Sequence, residues 1–524
     1  MAQFVVTAIV RAGQLLGQTW LASGQIVRFA ANVVTAIGQA FMMRALQGGG
    51  GGPQAAQLSL SFNPVQPRTA IIGRFLTAGS LVTWVNGTTG ENPNDKAFIF
   101  IAVADHECVG LVRAWTGAGD ELTFNVATAN GAGRAPISQF TRGGDEFGWI
   151  TFRKGPWNQT ADADPIANSG GRFTSDDRGR GVAYIKLEFL YPDDDGDRQV
   201  LFPRLQDDFF RFTFEIDGYR AYDRREDDEN GGSGDQRADD TTDWTLSDNA
   251  VVVGENILRG LRVEDEDDPD TTNRARDIFY GLGLTDDVLP ADEEEAALNA
   301  CDEAVTLKAG GTEPRYRVAG QIDCSTPVEE TLRAITDAMA GRLVQGVNRY
   351  FFLPGVPQTA VNVGEPILDG HRRIDAPYTC QDFTPLLEAV SEVTSSYTEP
   401  EQLYRPQDIT PRTSSAAEDA NGGRKSLNQP LPWVFSATQC QRVAEIRLRR
   451  EQYQWREELG LGPGWIALEP GDWLERDGET VGALSFEVAQ VGVGVGDEDL
   501  LMVSASLREV SADIFDWDET VDEY

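Results

Sequence analysis

The sequence predicts a multidomain α+β chain in which two β-rich regions flank a helix-containing centre, preceded by an N-terminal apolar helical arm. The length of 524 residues exceeds what one hydrophobic core usually serves, so several domains are expected. The 54 glycines and 25 prolines indicate many turns, as β structure with irregular loops requires. Short strand-like segments dominate both ends of the chain after the arm, and helical spacing is concentrated between them.

Residues 1–52 are predicted to form the arm and its glycine linker. In residues 1–47, apolar side chains recur at three- and four-residue steps, and only Arg11, Arg28 and Arg44 are charged. This spacing predicts one or two helices that are apolar around much of their circumference. Gln and Arg interrupt the apolar runs before they reach the roughly 18 residues of a simple membrane span. We expect a helix buried against partner chains; a segment that enters a membrane and a disordered or cleaved leader are the alternatives.

Residues 53–270 are predicted to be the first β-rich region. Its strand-like segments are rich in β-branched and aromatic residues and lie at 58–62, 70–75, 79–85, 97–104, 182–191 and 209–216. Residues 119–180 are rich in Gly, Asn and Asp, and are expected to be an insertion of surface loops. The acidic stretch 226–240 is expected to be a solvated loop, and another charge run follows at 264–270.

Residues 271–375 are predicted to be an α+β middle domain. The stretch 291–305 has apolar residues on one face and carboxylates in its first turn, which favours a helix. Thr326 and Glu329 have the spacing of a capping box, which opens a second helix that ends at Gly341. Residues 350–353 are predicted to be a short strand.

Residues 376–524 are predicted to be the second β-rich region. Its polar segment 410–429 is expected to be a mobile loop. Ser436 is expected to cap a helix over residues 436–451. Segments 481–493 and 500–507 alternate in part between apolar and polar residues, which predicts a closing β hairpin.

The charge and the cysteines restrict the classes of protein. Lys and Arg total 45 against 83 Asp and Glu, for a net charge of −38. Such a surface repels phosphate groups, which argues against tight binding to nucleic acid or to anionic lipid. Five scattered cysteines without a CxxC pair predict reduced, mostly buried thiols in a protein that is assembled in a cytoplasm, and no secretory signal is recognised.

No catalytic, cofactor-binding or metal-binding residues are predicted. His106 and Cys108 supply at most two metal ligands and are too close in sequence to imply a cysteine hydrolase, so His106 is expected to be a packed or hydrogen-bonded strand residue. His371, the other histidine, is remote in sequence. The acidic run 193–197 lacks the later bidentate Glu of a calcium loop and is expected to be a solvated turn. No phosphate-binding glycine motif occurs. A glycosidase pair remains an alternative, since 83 acids guarantee chance pairs.

An ordered series of short motifs runs along the chain. The first part contains Pro67-Arg68, Gly73-Arg74, FIFIAVADHECVG at 98–110, Gly218, Tyr222-Asp223, Trp244, Ser247, Asp248, Asn249, Ala250 and Gly260. The clearest block is AALNACDEAVTLKAGGTEPRY at 296–316, continued by Gly320, Pro327, Leu332, Gly341 and Tyr350. Near the end stand QRVA at 441–444, PGD at 470–472 and IFDWD at 514–518. In this order the motifs resemble the tail-tip hub family of long-tailed phages, which includes lambda-like tip attachment proteins and gene transfer agent hub proteins.

The resemblance covers residues 60–524 and implies a fold and a function. The fold would have two β-barrel-like hub domains flanking the helix-containing α/β centre. The function would be that of a non-enzymatic virion protein, the baseplate hub of a siphophage tail tip. A homotrimeric ring or cone would cap the tail tube and form part of the DNA ejection channel during host entry. Assembly would take place in the host bacterial cytoplasm.

The resemblance also implies partners. They are the distal tail protein and other tail-tip proteins, the C-terminus of the tape-measure protein, a tail fibre, and phage DNA that passes without specific binding. The N-terminal arm would lie within the trimer or contact the host membrane. Two departures from the family are seen: Asn249-Ala250 lacks the family's proline, and the chain stops where longer relatives carry receptor-binding modules. A tail-associated peptidoglycan hydrolase and a receptor-binding adhesin are the alternative functions.

Overall fold

The computed structural model describes most of the chain after the predicted arm. The described residues are 67–88, 95–117, 119–192, 212–264, 275–346, 348–361, 367–368, 371–372, 378–386, 388–477, 482–495 and 501–524. The predicted arm 1–52, the predicted strand 58–62 and the acidic run 193–197 lie outside them, as does most of the charge run 264–270. In the described residues the fold is a mixed α+β one, mostly strands, with seven α-helices.

The N-terminal β region consists of two antiparallel sheets around one core. The five-stranded sheet has the order Ser80–Gly87, Lys96–Ala104, Ala183–Leu190, Gly148–Arg153, Ala135–Pro136. The three-stranded sheet has the order Arg74–Thr77, Thr213–Asp217, Gly110–Trp115. Alternate residues of both sheets, such as Ile99, Leu187 and Phe214, are buried in the same apolar cluster, as the two-residue period of a strand requires.

The predicted strands of this region that lie within the described residues are confirmed, with one division. The segment predicted at 70–75 is two strands, Thr69–Ile72 and Arg74–Thr77, because Gly73 lies between them with a φ of 63°. A Cβ on Gly73 would lie 2.7 Å from the Ala319 Cβ, so this close approach requires glycine. Thr69–Ile72 leaves the sheets and pairs with Gly320–Asp323 of the centre.

The prediction that residues 119–180 are only surface loops is wrong. The strand Gly148–Arg153 lies inside the five-stranded sheet, and nearly all of its residues are buried. Its apolar run is short and stands among Gly-, Asn- and Asp-rich segments, so the composition of the whole stretch conceals it. The same stretch contains helices α1 (Val126–Asn130) and α2 (Ala163–Asn168) and the small hairpin Thr141–Arg142 with Asp145–Glu146.

The centre is built around three helices, α3 (Ala250–Arg259), α4 (Ala291–Asp302) and α5 (Val328–Ala338). Every residue of α3 is buried, and α3 packs against both α4 and α5. The Asn249 side chain caps α3 by accepting from the N–H groups of Val251 and Val252. The two-stranded pairs of the centre are Arg220–Ala221 with Thr245–Leu246, Leu261–Glu264 with Ala275–Tyr280, Ala304–Thr306 with Thr312–Pro314, and Arg342–Gly346 with Arg349–Leu353.

Two predictions for the centre are wrong in detail. The capping box at Thr326 is not formed, because Pro327 occupies the cap position of α5 and no side chain caps the helix. The helix ends at Ala338, three residues before the predicted Gly341. The Gly341 N–H donates to the carbonyl of Thr336 in the last turn of the helix. The stretch 226–240 is not a solvated loop throughout, because Asp227 is fully buried between two short 3-10 helices, Arg224–Glu226 and Asp228–Asn230.

The C-terminal part contains two further sheets. In the four-stranded sheet, Glu392–Glu399 pairs with Arg405–Asp408 and Arg412–Thr413 in antiparallel fashion and with Ser426–Leu431 in parallel. The six-stranded sheet has the order Ile367–Leu368, Trp473–Asp477, Leu484–Val495, Leu501–Glu509, Arg456–Leu461, Thr379–Gln381. It has its own apolar cluster, which includes Leu461, Phe486 and Val503.

Helices complete this part of the chain. The prediction that residues 410–429 form a mobile loop is wrong. This stretch contains helix α6 (Ser415–Asn421), which Ser414 caps, and the parallel strand Ser426–Leu431. The predicted helix 436–451 is confirmed as α7 (Ala437–Arg450), with the Ser436 hydroxyl accepting from the Gln439 N–H. The closing hairpin is confirmed as Leu484–Val495 with Leu501–Glu509. None of the helices in the described ranges is long and apolar enough to cross a membrane.

Candidate functional site

His106 is a buried residue whose tautomer is determined by its contacts. It follows the strand Lys96–Ala104, and its Nε2 accepts from the Ile71 N–H at 3.0 Å. The proton therefore lies on Nδ1, 2.7 Å from the Glu107 carbonyl oxygen. Burial lowers the pKa of His106 to about 4, so the ring is neutral at pH 7. His106 is therefore the packed, hydrogen-bonded residue that the sequence predicts.

The cysteines are thiols in environments that suppress the thiolate. All five are free, and Cys108, Cys301 and Cys440 are buried, which confirms the prediction that most of the thiols are buried. Burial raises the pKa of Cys108 well above its usual range, so its thiol beside His106 is protonated and is a poor nucleophile. Burial also raises the pKa of Cys301, Cys324 and Cys440 to about 12. Within the described ranges, no three or more His, Cys, Asp and Glu side chains are arranged to hold a metal ion.

A polar and aromatic contact, here called the Tyr404 clamp, joins the C-terminal part to the N-terminal β region. It consists of Tyr404, Phe435, Phe75, Glu215 and Arg113. The Tyr404 ring packs on Phe75 and Phe435, with ring centroids 5.3 and 5.7 Å away. Its hydroxyl donates to Glu215 at 2.8 Å, although the two residues are 189 positions apart.

The charge inside the clamp is compensated. Glu215 is 1% exposed, and it also accepts two hydrogen bonds from the Arg113 guanidinium, at 2.8 and 3.0 Å. This forked arrangement is the strong form of an Arg–carboxylate contact, and the Tyr404 hydroxyl adds a third donor. Burial, with Glu215 adding to it, raises the pKa of Tyr404, so the hydroxyl keeps its proton as a donor. The clamp therefore fixes the C-terminal part to the N-terminal β region. The buried charge of Glu215 is paired with that of Arg113.

A second contact joins the centre to helix α7. Glu313 accepts from the Ser436 and Thr438 hydroxyls, at 2.7 and 2.5 Å, and from Arg442 at 3.0 Å. Arg442 is 1% exposed and also donates to the Arg315 carbonyl. The Glu313 carboxylate lies at the N-terminus of α7, where the helix dipole favours a negative charge. The sequence blocks TEPRY at 312–316 and QRVA at 441–444 thus meet in space.

Other residues of the sequence motifs also make buried structural contacts. Asp302 accepts from Arg225 and Arg317, each at 2.7 Å. The fully buried Tyr316 donates to the Gly355 carbonyl at 2.6 Å. These residues hold the centre together, and they do not converge on one cleft.

A buried ionic centre, which the sequence reasoning missed, lies between α3 and α4. Glu255 on α3 and Glu294 on α4 are each 1% exposed, and Arg224 contacts Glu294 at 2.7 Å. Arg259 and Arg224 both pair with Asp286. Burial raises the pKa of Glu294 to about 6 and that of Glu255 well above its usual range, to which the Glu294 charge adds. The sequence did contain a signal for this ionic centre. Glu255 and Arg259 are four residues apart, as in an i, i+4 ion pair, inside a largely apolar helix.

Both the sequence and the fold of the chain are similar to those of known proteins. Residues 329–491 match the family Phage-tail_3, described as "Putative phage tail protein". The fold matches a chain of the structure "Virion of native gene transfer agent (GTA) particle" with a TM-score of 0.53 and 14% identity, covering 93% of this chain and 98% of that chain. No curated protein matches the chain.

Two further solved structures match more weakly. The tail protein from Neisseria meningitidis MC58 has a TM-score of 0.27 and 11% identity, over 86% of this chain and 99% of that one. The 43 kDa tail protein of prophage MuSo2 from Shewanella oneidensis has a TM-score of 0.30 and 9% identity, over 87% and 96%. The chain thus has a fold similar to that of a chain of the gene transfer agent virion, and its residues 329–491 match the Phage-tail_3 family.

Proposed function

We propose that the chain is the tail-tip hub of a long-tailed siphophage, a non-enzymatic baseplate protein. The observation that carries the proposal is the fold match to a virion chain, which extends over nearly the whole of both chains. In this proposal three copies form a ring or cone that caps the tail tube at the tail tip. The ring forms part of the channel through which DNA leaves during host entry.

The internal contacts suit a ring subunit. The N-terminal sheets and the six-stranded sheet would be the two β-barrel-like hub domains, and three copies would supply six such domains to a pseudo-sixfold ring. A subunit of this kind must hold its two domains at a constant relative orientation. The Tyr404 clamp fixes the four-stranded sheet to the N-terminal β region, and the Glu313 contact fixes helix α7 to the centre, both with buried, charge-assisted hydrogen bonds.

The charge of the chain suits a channel. With 83 acidic and 45 basic residues, the surface repels the phosphate backbone and lets DNA pass without sticking. A basic lumen in the assembled ring would contradict this part of the proposal. The remaining partners would be the distal tail protein, other tail-tip proteins, the C-terminus of the tape-measure protein and a tail fibre. The arm, residues 1–52, would lie within the trimer or contact the host membrane.

The test is the mass of the purified full-length chain by light scattering. The expected result is three times the chain mass of 57.3 kDa. A chain that stays monomeric alone and also after co-expression with the neighbouring tail proteins contradicts the hub. Deletion of residues 1–47 is expected to abolish the trimer and leave thermal unfolding of the body unchanged, which separates assembly from folding.

Two assays address the alternative functions. Clearing of purified cell walls in a zymogram would favour a tail-associated peptidoglycan hydrolase, whereas the hub predicts no clearing. Direct binding of the isolated chain to host cells would favour a receptor-binding adhesin. Binding that requires the intact tail is the result expected for a hub.

A further inference from the structure

The closing hairpin extends beyond the sheet to which it belongs. Its first strand, Leu484–Val495, pairs on one side with Leu501–Glu509. On its other side it pairs with Trp473–Asp477 only at its start, and the last backbone hydrogen bonds on that side are made by Val488. The same side of residues 490–495, here called the free edge, has no partner strand among the described residues. Alternate backbone N–H and C=O groups of the free edge therefore point away from the sheet.

The free edge lacks two features by which proteins protect an exposed strand. Charged side chains and proline normally prevent such an edge from pairing with another chain. Residues 488–496 contain neither a charge nor a proline, although 24% of the residues of the chain are charged. A strand edge of this composition is suited to receive a further strand.

Two glycines of the free edge leave room for another backbone. Neither Gly492 nor Gly494 has a positive φ, so the backbone conformation does not require glycine at these positions. Among the described residues, a Cβ on Gly494 would have no neighbour within 4 Å, and one on Gly492 would meet only the Ser504 hydroxyl oxygen. Glycine inside a strand often marks a place where another backbone approaches closely.

One face of the hairpin is apolar and extends beyond the core beneath it. Val491 and Val493 lie opposite Ala505 and Val503, so these four side chains share one face. Ala505 and Val503 are buried in the core of the six-stranded sheet and Val491 packs against it, whereas Val493 is 55% exposed. A further strand with apolar residues at alternate positions would cover the exposed part of this face.

A segment of this chain outside the described residues has the matching pattern. Residues 58–62, which the sequence predicts to be a strand, read LSLSF, so that apolar residues and serines alternate. No charged residue occurs from 45 to 67. When the segment lies along the free edge, its leucines and phenylalanine extend the apolar face and its serines lie beside the two glycines.

The proposed ring places this segment next to the free edge of a neighbouring copy. In a pseudo-sixfold ring of three copies, the N-terminal β region of one copy lies beside the C-terminal sheet of the next. Residues 63–68 join the segment to Thr69, which is held by its pairing with Asp323. A chain of this length spans at most about 25 Å, which is enough to cross the boundary between adjacent domains.

We propose that the segment 58–62 of one copy adds as a strand to the free edge, residues 490–495, of the next copy. Backbone hydrogen bonds hold the added strand, and the alternation of its side chains determines the register. Each copy donates one strand and receives one, and such a head-to-tail contact closes into a ring. The inference rests on the proposed trimeric hub and names the residues that join its copies.

The experiment cross-links the segment to the free edge in the full-length trimer, formed alone or with co-expressed tail proteins. Ser59→Cys and Gly494→Cys introduce the two thiols, and Cys380→Ser removes the exposed native thiol. Facing residues of paired strands have Cβ atoms about 4.5–5.5 Å apart and diagonal neighbours about 7–8 Å, so a short bis-maleimide tolerates a change of register by two residues. We expect covalent products of two and three chains on a denaturing gel.

The matched control combines Ser59→Cys with Gly462→Cys. Gly462 also has nothing within 4 Å of a Cβ, and it lies in the same part of the chain but outside the free edge. This pair is expected to give no more interchain product than chains with the Ser59→Cys substitution alone.

A charge on the apolar face tests whether that face is covered. Val493→Lys, in the chain with the Ser59→Cys and Gly494→Cys pair, is expected to lower the yield of interchain product about 10-fold, the equivalent of about 1.4 kcal/mol. Because Val493 is 55% exposed, the substitution should leave the melting temperature of the chain unchanged. Val521→Lys, at a position that is 67% exposed outside the six-stranded sheet, should leave the yield unchanged.

The outcomes separate this inference from the proposed hub. A trimer by light scattering that gives no interchain product overturns the strand exchange and leaves the hub in place. A product within a single chain shows that the segment pairs in its own copy and also overturns the exchange. An undiminished yield in Val493→Lys contradicts the pairing on the apolar face. A chain that stays monomeric with its tail partners contradicts both the exchange and the hub.

Discussion

Replacing His106 by Gln tests whether the buried imidazole contributes a pH-dependent part of the stability. In the folded chain burial lowers the pKa of His106 from 6.5 to about 4. The unfolded state therefore takes up the proton first as the pH falls. The contribution of His106 is fully present above pH 6.5 and is lost as the pH falls from 6.5 towards 4.

The expected magnitude follows from the same shift. A difference of one pKa unit corresponds to about 1.4 kcal/mol. The free energy of unfolding should thus lose about 1.4 kcal/mol between pH 7.5 and 5.5 through His106 alone, and about 3.4 kcal/mol once the pH is well below 4. Glu255 and Glu294 have raised pKa values and act in the opposite direction, so the wild type must be compared with a variant and not read alone.

The assay is urea unfolding followed by tryptophan fluorescence at pH 7.5, 6.5 and 5.5. In His106→Gln the amide oxygen replaces Nε2 as the acceptor for the Ile71 N–H and does not titrate. We expect the stability of this variant to fall with pH by about 1.4 kcal/mol less than that of the wild type over this window. The chain has only two histidines, so His371→Gln is the matched control and should keep the wild-type pH dependence.

The same pH dependence in the wild type and in His106→Gln would refute the reasoning, as would its loss in His371→Gln. Nuclear magnetic resonance of histidine-labelled protein gives a direct reading, because two ring signals are expected. The His106 signal should not titrate between pH 7.5 and 5.5. A midpoint near 6.5 for that signal would show that the ring is solvated.

Three further outcomes are expected. Tyr404→Phe removes one charge-assisted hydrogen bond to Glu215 and should lower the free energy of unfolding by about 1.5–3 kcal/mol in urea; an unchanged midpoint would contradict the clamp. Gly218→Ala places a Cβ 2.1 Å from a backbone carbonyl oxygen and should lower the free energy of unfolding by about 3 kcal/mol or more. Gly462→Ala is the control, because a Cβ there has no neighbour within 4 Å, and it should change the free energy of unfolding by no more than about 0.5 kcal/mol. Equal effects of the two substitutions in thermal unfolding would refute the close packing at Gly218. A maleimide should label the exposed Cys380 in the folded chain and leave the buried Cys108, Cys301 and Cys440 unlabelled until the chain unfolds; labelling of these three in the native state would contradict their burial.

Local patterns in the sequence were sufficient for many elements. Helix α7 was predicted because its apolar residues recur at helical spacing after a serine cap. The closing hairpin was predicted from partial alternation, and Lys96–Ala104 from a run of β-branched and aromatic residues. In each case the information lies within about ten residues of the chain, which is the range over which backbone geometry repeats.

Elements that depend on distant partners were missed. Ser426–Leu431 is mostly polar and was predicted to be part of a loop, yet it forms a strand because Glu392–Glu399 supplies its hydrogen bonds. Asp227 reads as part of a solvated acidic stretch, yet Tyr222, Asn230 and Arg237 bury it. A polar residue can be buried when its partners satisfy it, and sequence spacing does not reveal those partners.

The sequence by itself determined the α+β class, the acidic character, the reduced thiols and the ordered motifs that resemble the hub family. Only the tertiary structure decided that Tyr404 enters the N-terminal core, that Glu255 and Glu294 share a buried ionic centre, and that Glu313 reaches the start of helix α7. The physical reason is a difference of range. Periodicity and composition are properties of short stretches, whereas the burial of a charge or a donor depends on groups brought together from positions far apart in the chain.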